Sequence, residues 1–301
     1  MGRRCLMAAC LLGSGCISEL PEVAQPCGLW PEPGLYEITV EMPDKKRKAL
    51  VEIGPSTGPR DLIVAIHGGA QNPKEFLELT QFGNLAQSDI PLVVAYPQGR
   101  HTLLWRTWNV GFDDGSEKAL DVEFLDALVK ELEQRTCVDQ TLAAGFSRGG
   151  MMAMRWACAS DVPDGVVSAA GPLIQKQCEG PPKPMRAYHG TADDVVPIQG
   201  GETKAGNPVP PASDGWALWR ERNECSEEVA ETFTFGAMEC VRYAECAAPT
   251  EVCIIEGWGH AWPGGRQAGT LSSNATIESV EFLEDVVANA TTTSGSSATS
   301  D

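Results

Sequence analysis

Residues 142–150 read Leu-Ala-Ala-Gly-Phe-Ser-Arg-Gly-Gly and contain the pattern G-x-S-x-G around Ser147. A short apolar run ends at Phe146, and a run of helical character begins at Met151. A serine between a strand and a helix lies on a sharp turn, and the flanking glycines let the helix pack close to the strand. The segment predicts a nucleophilic serine at the carboxyl edge of a sheet. The alternative is a glycine-rich turn in which the serine caps the helix.

The rest of the chain alternates short apolar runs with helical patterns. Short apolar runs are typical of strands buried on both faces of a sheet, and they lie at 62–66, 92–96, 142–146, 185–188 and 252–255. Residues 36–42 alternate like a half-buried strand that could pair with 48–53, and helical spacing occupies 119–132, 151–158 and 277–287. Strands that alternate with helices predict an α/β fold, with a mostly parallel central sheet and helices on both faces.

Both ends of the chain lack the patterns of a folded core. Arg3 and Arg4, an apolar run over 6–12 and small residues before Cys16 predict an export signal over 1–16. The same features resemble a bacterial lipoprotein signal, in which Cys16 would carry a lipid anchor. The alternatives are an ordinary cleaved signal and a wrongly chosen start codon. We interpret 17–34 as a spacer, 35–288 as one domain, and 289–301 as a disordered polar tail.

The charge of the chain limits its partners. Its 301 residues contain 23 Lys and Arg against 41 Asp and Glu, which gives a net charge of −18. Such a chain repels phosphate backbones and anionic membrane surfaces, so we expect no nucleic-acid partner. The sequence contains no apolar stretch of the ~20 residues that a membrane-spanning helix needs.

Cysteine usage agrees with export. Eight of the 11 cysteines lie beyond Cys16, and an even number in an exported chain indicates disulfides. They are Cys27, Cys137, Cys158, Cys178, Cys225, Cys240, Cys246 and Cys253. Metal binding is the competing interpretation, but the sequence has no C-x-x-C and only four histidines. We therefore expect no metal site.

A serine hydroxyl needs a general base to become a good nucleophile. In this kind of fold the acid and then the histidine follow the serine along the chain. Of the two histidines after Ser147, His260 lies in the loop after the last apolar run, where the base is expected, and His189 would brace its own loop. The candidate acids are Asp161, Asp164, Asp193, Asp194 and Asp214. Asp193 and Asp194 are favoured because they closely follow a predicted strand.

An oxyanion hole needs two N–H donors aimed at one point. We expect one from the backbone of Arg148, directly after the serine. The strand over 62–66 is followed by His67-Gly68-Gly69-Ala70-Gln71, and Gly69 is the expected second donor. A glycine there lets the main chain approach a substrate. The alternative is that this stretch forms only a tight turn.

Several motifs resemble those of the exported α/β-hydrolase esterases, which include polyhydroxybutyrate depolymerases and the feruloyl and acetylxylan esterases of carbohydrate esterase family one. They are Ile66-His67-Gly68 with Gln71, Tyr96-Pro97-Gln98-Gly99 with Trp108-Asn109, Asp121-Val122 with Phe124-Leu125, Gly145-Phe146-Ser147-Arg148-Gly149-Gly150, and His189-Gly190-Thr191-Ala192-Asp193 with Val196-Pro197 and Gly259-His260-Ala261-Trp262-Pro263-Gly264. The likeness covers about residues 36 to 266. It implies the α/β-hydrolase fold and a cofactor-free serine ester hydrolase that acts through an acyl-enzyme.

The resemblance also assigns roles. It implies Asp193, in H-G-T-A-D, as the triad acid and His260, in G-H-x-W-P-G, as the base. The family often has Cys at the position of Gly69, Asn or Leu at that of Arg148, and Tyr at that of Ile198. These departures leave the triad intact but weaken any transfer of substrate specificity.

The resemblance implies one cysteine pair, because Cys225 and Cys246 match positions that are paired in family members. Their positions along the chain predict the others, although spacing alone does not fix connectivity. Cys240 would pair with Cys253 across the same loop region, Cys158 and Cys178 bracket the segment after the helix that follows the serine, and Cys27–Cys137 is the last pair left.

Tryptophans in predicted loops at the same edge of the sheet are candidates for a substrate cleft. They are Trp105, Trp108, Trp258 and Trp262. A flat apolar wall suits a feruloyl ring, a sugar ring or a polyester chain, and we predict Trp108, Trp258 and Trp262 as substrate-binding. The alternative is that each one packs inside the domain.

The leading hypothesis is a secreted, periplasmic or cell-surface carboxylic ester hydrolase that acts on a small or polymeric ester. A serine peptidase of the same fold is the second hypothesis, which cleavage of a protein substrate would identify. A non-catalytic binding protein on the same scaffold is the third, and fluorophosphonate labelling of the serine would exclude it. The sequence leaves open the acyl group, the alcohol and the oligomeric state.

Overall fold

The computed structural model describes residues 17–19, 32–56, 58–88, 90–101, 105–112, 118–265 and 274–296. The strands are β1 Ile17–Glu19, β2 Gly34–Glu41, β3 Lys46–Ile53, β4 Arg60–Ile66, β5 Leu92–Pro97, β6 Arg100–His101, β7 Arg106–Thr107, β8 Val138–Phe146, β9 Gly165–Ala169, β10 Met185–Gly190, β11 Gly201–Glu202, β12 Pro208–Val209, β13 Val229–Phe235, β14 Met238–Tyr243 and β15 Thr250–Ile255. The helices are α1 Pro73–Thr80, α2 Phe82–Ala86, α3 Asp121–Glu133, α4 Arg148–Ala159, α5 Ala212–Arg222 and α6 Ala275–Ser296. The predicted export signal, with Cys16, lies outside the described residues.

One large sheet organises the described residues. Its eleven strands follow the order β1-β2-β3-β5-β4-β8-β9-β10-β15-β14-β13. The central strands from β5 to β15 run parallel, and antiparallel pairs flank them on both sides. Central strands buried on both faces appear in the sequence as short, mainly apolar runs, which is why those runs predict them. The prediction of a mostly parallel central sheet is confirmed.

Helices cover both faces of this sheet. Leu128 of α3 and Trp156 of α4 pack in the core on one face. Phe76 of α1, Phe82 of α2 and Phe282 of α6 pack in the core on the other. Burial of an apolar side chain of this size contributes roughly 1.5–3 kcal/mol. The two cores hold the sheet as a platform, and the loops after β4, β8, β10 and β15 meet at its carboxyl edge.

Some elements differ from the sequence predictions. The prediction of a disordered tail from residue 289 is wrong for 289–296, because α6 continues to Ser296. Each residue added to a formed helix gains a hydrogen bond, so a helix packed through Phe282 can extend into a polar segment. Residues 297–301 lie outside the described ranges. β1 pairs in parallel with β2, within the stretch predicted as a spacer.

None of the helices in the described part of the chain has both the length and the apolar character needed to cross a bilayer.

Disulfides cross-link the described part of the chain at three places. They are Cys158–Cys178, Cys225–Cys246 and Cys240–Cys253, which confirms three of the predicted pairs. The last of these joins the neighbouring strands β14 and β15. Cys27 lies outside the described residues, so its pairing with Cys137 stays a prediction.

We expect the double variant Cys225→Ser, Cys246→Ser to lose about 2–4 kcal/mol of unfolding free energy. The bond joins residues 21 positions apart, so its removal gives the unfolded chain more conformational freedom. Replacing both cysteines leaves no unpaired thiol from this bridge that could form a non-native disulfide. Urea unfolding of wild type and variant under non-reducing conditions measures the difference. An unchanged unfolding midpoint would show that this bridge does not stabilise the domain.

Candidate active site

Ser147 lies between β8 and α4, at the carboxyl edge of the sheet. Its φ of 55° and ψ of −125° are uncommon for a residue with a side chain and mark a strained turn. A Cβ at Gly149 would lie 2.0 Å from the carbonyl oxygen of Ile66, so only glycine lets α4 pack this close to β4. The strand, the turn and the helix have the geometry expected around G-x-S-x-G.

His260, in the loop after β15, faces Ser147. Its Nε2 lies 2.8 Å from Ser147 Oγ, which is hydrogen-bonding distance. The imidazole packs against Phe146 with 4.8 Å between the ring centroids, and the side chain is only 13% exposed. His260 is therefore held in a position to accept the proton of the serine hydroxyl.

Asp193 lies just after β10 and fixes the far side of the imidazole. Its Oδ2 accepts a hydrogen bond from His260 Nδ1 at 2.7 Å, and its Oδ1 accepts from the backbone N–H groups of Val195 and Val196 at 2.9 and 2.8 Å. Burial raises the pKa of this carboxyl. The hydrogen bond and charge of His260 and the two N–H donors outweigh burial, so the pKa lies below its ordinary value. Asp193 is thus kept ionised against His260.

The neighbouring acid has different surroundings. The Asp194 side chain is 76% exposed, and its carboxylate lies 3.5 Å from Lys204 Nζ. His189 is buried behind the same loop, where its Nε2 donates to the carbonyl oxygen of Val196 at 2.8 Å and lies 3.6 Å from Asp193 Oδ2. Burial lowers the pKa of His189, so the ring is a neutral brace for the acid loop. Of the other candidate acids, Asp161 and Asp164 precede β9, and Asp214 lies on α5.

The glycine loop after β4 lies against the serine turn. A Cβ at Gly68 would be 3.4 Å from Ser147 Cβ, and one at Gly69 would be 3.8 Å from Arg148 Cβ. The Gly68 N–H donates to Gln71 Oε1 at 2.8 Å, whereas the Gly69 N–H has no acceptor among the described residues. The Gly69 N–H and the start of α4 at Arg148 are therefore adjacent to Ser147, as an oxyanion hole requires.

His67 holds this loop from behind, a role that the sequence analysis did not assign to it. Its Nδ1 donates to the carbonyl oxygen of Gly68 at 2.7 Å, and its Nε2 accepts from the N–H of Gly99 at 3.0 Å. Burial lowers the pKa of His67 to about 4, so the ring is neutral. Its own carbonyl oxygen accepts from Trp108 Nε1 at 2.8 Å. The only sign of this role in the sequence is the position of His67 directly before Gly68.

Three of the four tryptophans that are candidates for the substrate cleft do not line the cavity beside Ser147. Trp108 and Trp262 are fully buried, so their prediction as substrate-binding residues is wrong. Indole is stably buried where its N–H finds an acceptor, and Trp262 Nε1 has one in Thr276 Oγ1 at 3.0 Å. Trp258 is half-buried against the core and does not line the cavity beside Ser147. Trp105 does line it and is 40% exposed.

A cavity of about 400 Å³ opens beside Ser147 and His260. Its apolar wall is formed by Trp105, Phe112, Phe146, Met151, Val195 and Val196. Its polar groups come from Gln71, Arg148, Thr203 and Asn207. The last two belong to the turn between β11 and β12, which is closed by a hydrogen bond from the Thr203 N–H to the Asn207 carbonyl oxygen. The sequence gives no signal that this short turn reaches the site.

The chain is similar in sequence to feruloyl esterases. It is 33% identical over 170 residues to feruloyl esterase C of Emericella nidulans, a match that covers 54% of this chain and 57% of that protein. It is 28% identical over 218 residues to a protein named probable feruloyl esterase C of Aspergillus flavus, with 69% and 73% covered. No protein-family model matches the chain.

Solved structures share the fold. The acetyl xylan esterase from Aspergillus awamori superimposes with a TM-score of 0.60 at 14% identity, over 76% of this chain and 95% of that one. The esterase PE8 gives a TM-score of 0.51 at 16% identity, over 78% and 97%. At such identities the likeness establishes the fold alone. The chain has the α/β-hydrolase fold and is similar in sequence to feruloyl esterases.

Proposed function

We propose that the chain cleaves carboxylic esters through an acyl-enzyme on Ser147, with His260 as general base and Asp193 as the acid that orients it. One observation carries the proposal. A continuous hydrogen-bonded chain runs from Ser147 Oγ through both ring nitrogens of His260 to Asp193 Oδ2. The Ser147 end of this chain lies at the cavity that would hold the acyl group. The same three roles are found in serine hydrolases of unrelated folds.

In the first half-reaction, Ser147 Oγ attacks the carbonyl carbon of the ester while its proton passes to His260 Nε2. The carbonyl oxygen becomes an oxyanion, which the backbone N–H groups of Gly69 and Arg148 stabilise. The carboxylate of Asp193 balances the charge of the imidazolium. His260 then gives the proton to the departing oxygen, so the alcohol leaves and the acyl group stays on Ser147.

The second half-reaction repeats these steps with water. His260 takes a proton from a water molecule, whose oxygen attacks the acyl carbon bound to Ser147. The same backbone N–H groups stabilise the second oxyanion. Return of the proton to Ser147 Oγ releases the carboxylic acid product and restores the enzyme. Every proton transfer uses His260 Nε2, so Asp193 at Nδ1 orients the ring and stabilises the imidazolium without taking up a proton itself.

The substrate we propose carries an aromatic acyl group of hydroxycinnamate size. A cavity of about 400 Å³ has room for a phenylpropenoyl group, whereas an acetyl group would leave much of its apolar wall uncovered. The rings of Trp105 and Phe112 offer faces and edges for an aromatic ring. The names of the sequence relatives point to the same class. Acetylated xylan and hydroxybutyrate oligomers are the competing substrates.

A panel of esters tests this proposal. We expect hydrolysis of methyl ferulate with a higher kcat/KM than for acetylated xylan or hydroxybutyrate oligomers, and labelling of Ser147 by a fluorophosphonate. Cleavage of hydroxybutyrate oligomers in preference to methyl ferulate would indicate that the substrate is a polyester instead. A protein that is neither labelled nor active on any ester would refute the ester hydrolase itself.

We also propose that the enzyme works outside the reducing cytosol. Structural disulfides persist in oxidising compartments, and three of them join described residues. The acidic surface, with a net charge of −18, is compatible with a dissolved or surface-exposed enzyme. The export signal over 1–16 and the lipid anchor at Cys16 stay predictions from the sequence.

We expect Trp105→Ala to raise KM for methyl ferulate about 5- to 30-fold, because one aromatic wall of the cavity is lost. Phe235→Ala is the matched control, since Phe235 is 42% exposed on β13 and does not line the cavity. Steady-state kinetics and melting temperatures of both variants give the comparison. Equal KM values for Trp105→Ala and the control would remove Trp105 from the substrate-binding residues.

A further inference from the structure

Gln71 is hydrogen-bonded to both polar groups of the Gly68 backbone. Its side-chain Oε1 accepts from the Gly68 N–H at 2.8 Å, and its own backbone N–H donates to the Gly68 carbonyl oxygen at 3.3 Å. A Gln that reaches back three residues to a backbone N–H is the pattern of a capping box, which here closes the turn 68–71. Gln71 also lines the cavity beside Ser147, and the steps of the proposed reaction give its side chain no role.

The two peptide groups that flank Gly68 are held by different partners. The carbonyl oxygen of the first, which belongs to His67, accepts from Trp108 Nε1 at 2.8 Å, and its N–H is the one that donates to Gln71 Oε1. The carbonyl oxygen of the second accepts from His67 Nδ1 at 2.7 Å and from the Gln71 N–H. The N–H of the second is that of Gly69, which is exposed and has no acceptor among the described residues. It is therefore the N–H of this pair that stays open to a substrate.

The direction of the Gly69 N–H follows from these bonds. A peptide group is planar and trans, so whatever holds the Gly68 carbonyl oxygen also sets the direction of the Gly69 N–H on the opposite side. Two successive glycines offer little steric resistance to rotation of the peptide between them. Ala70, the next residue, has a φ of 62°, which is uncommon for a residue with a side chain and persists only where its surroundings hold it. The turn therefore depends on its hydrogen bonds to keep one conformation.

We propose that Gln71 is a positioning residue that keeps the Gly69 N–H aimed at the oxyanion. The proposal rests on the function proposed above, because the oxyanion develops on the ester that Ser147 attacks. Gln71 Oε1 lies 2.9 Å from the place that a Cβ of Gly68 would take, and that place is 3.4 Å from Ser147 Cβ. The side chain that holds the turn thus lies beside the nucleophile. A carboxamide is uncharged, so it holds the turn without adding a negative charge next to the oxyanion.

Gln71→Met tests the side-chain oxygen. Methionine has a similar length but no comparable acceptor, so the Gly68 N–H loses its partner and the following peptide gains freedom to turn. We expect kcat on methyl ferulate to fall about 10- to 100-fold, since complete loss of one oxyanion donor costs about 10²–10³-fold. KM should change by no more than about threefold, because the interaction is made in the transition state. Loss of a cavity wall would raise KM instead.

A boronic acid distinguishes the oxyanion hole from the rest of the cavity. Phenylboronic acid adds to a serine nucleophile as a tetrahedral adduct that resembles the transition state, whereas ferulate resembles the product. Gln71→Met should weaken inhibition by phenylboronic acid by about the factor lost in kcat, and inhibition by ferulate by no more than about threefold. Gln81→Met is the matched control. Gln81 Oε1 accepts from Asn84 Nδ2 at 3.2 Å outside this cavity, so kcat, KM and both inhibition constants should be unchanged.

Hydrogen exchange tests the wild type directly, by NMR of protein that contains isotope-labelled glycine. The Gly68 amide is buried and bonded to Gln71, so it should exchange slowly in heavy water, whereas the open Gly69 amide should exchange fast. Phenylboronic acid should slow the exchange of the Gly69 amide, because the adduct gives it an acceptor. In Gln71→Met the Gly68 amide should exchange faster than in the wild type.

The outcomes separate this proposal from the proposed function. Hydrolysis with equal kcat and equal boronic acid inhibition in wild type and Gln71→Met would keep the esterase and overturn the role of Gln71. A raised KM at unchanged kcat would overturn it too. Fast exchange of the Gly68 amide in the wild type would do the same, even if Gln71→Met does not fold. Boronic acid binding that weakens in Gln71→Met, in a protein that hydrolyses no ester, would keep the role of Gln71 and refute the esterase.

Discussion

Replacing Ser147 with Ala should lower kcat on every ester by about 10⁴–10⁶-fold, the range seen when the nucleophile of a serine triad is removed. Without Oγ no acyl-enzyme forms, and His260 Nε2 loses the hydroxyl that lies 2.8 Å away. Some rate above the uncatalysed reaction should remain, because the N–H donors and the cavity still bind the substrate. End-point and continuous assays of methyl ferulate hydrolysis measure the decrease in kcat.

Ser226→Ala is the matched control for this variant. Its hydroxyl donates to the carbonyl oxygen of Ala244, and it does not line the cavity. We expect wild-type kcat and fluorophosphonate labelling for Ser226→Ala, and loss of both for Ser147→Ala. The melting temperature should change little in Ser147→Ala, because alanine retains the Cβ in the same turn. Near-normal turnover without Ser147 would refute the proposed nucleophile.

Local sequence patterns predict the centre of the candidate site. The serine turn, the glycine loop and the late histidine loop each follow a central apolar strand, and parallel strands bring their carboxyl ends to one edge. The predicted sheet therefore implies that these three motifs, which are far apart in the chain, lie close together at its carboxyl edge. The distances of 2.8 and 2.7 Å from His260 to Ser147 and Asp193 depend on the tertiary fold and can be read only from the structure.

The walls of the site could not be predicted in the same way. Whether a tryptophan lines a cleft or fills a core depends on which elements pack against it. Trp262 lies two residues after His260 and is nevertheless buried against α1 and α2. Thr203 and Asn207 line the cavity from a turn whose strands have two residues each, too short for any periodicity. Such contacts are set by tertiary packing and have no local signature.

Asp193→Asn should lower kcat by about 10⁴-fold, because the amide reverses the hydrogen bond to the imidazole. In the wild type, Oδ1 accepts from the N–H groups of Val195 and Val196, and Oδ2 accepts from His260 Nδ1. An asparagine has one oxygen, and the two backbone donors hold it. Its amide N–H₂ then faces Nδ1, which must accept, so the proton moves to Nε2. A protonated Nε2 cannot take the proton of Ser147.

Asp194→Asn makes the same chemical change one residue away, in a different environment. The Asp194 carboxylate is 76% exposed and faces Lys204 at 3.5 Å, so its loss should change kcat by no more than about twofold. Parallel kinetics on methyl ferulate, with melting temperatures to confirm folding, compare the two variants directly. If the order is reversed, Asp194 is the acid and the loop after β10 adopts another conformation in the working enzyme. If both variants stay active, His260 needs no carboxylate partner, and the role of Asp193 is to hold its loop through the N–H groups of Val195 and Val196.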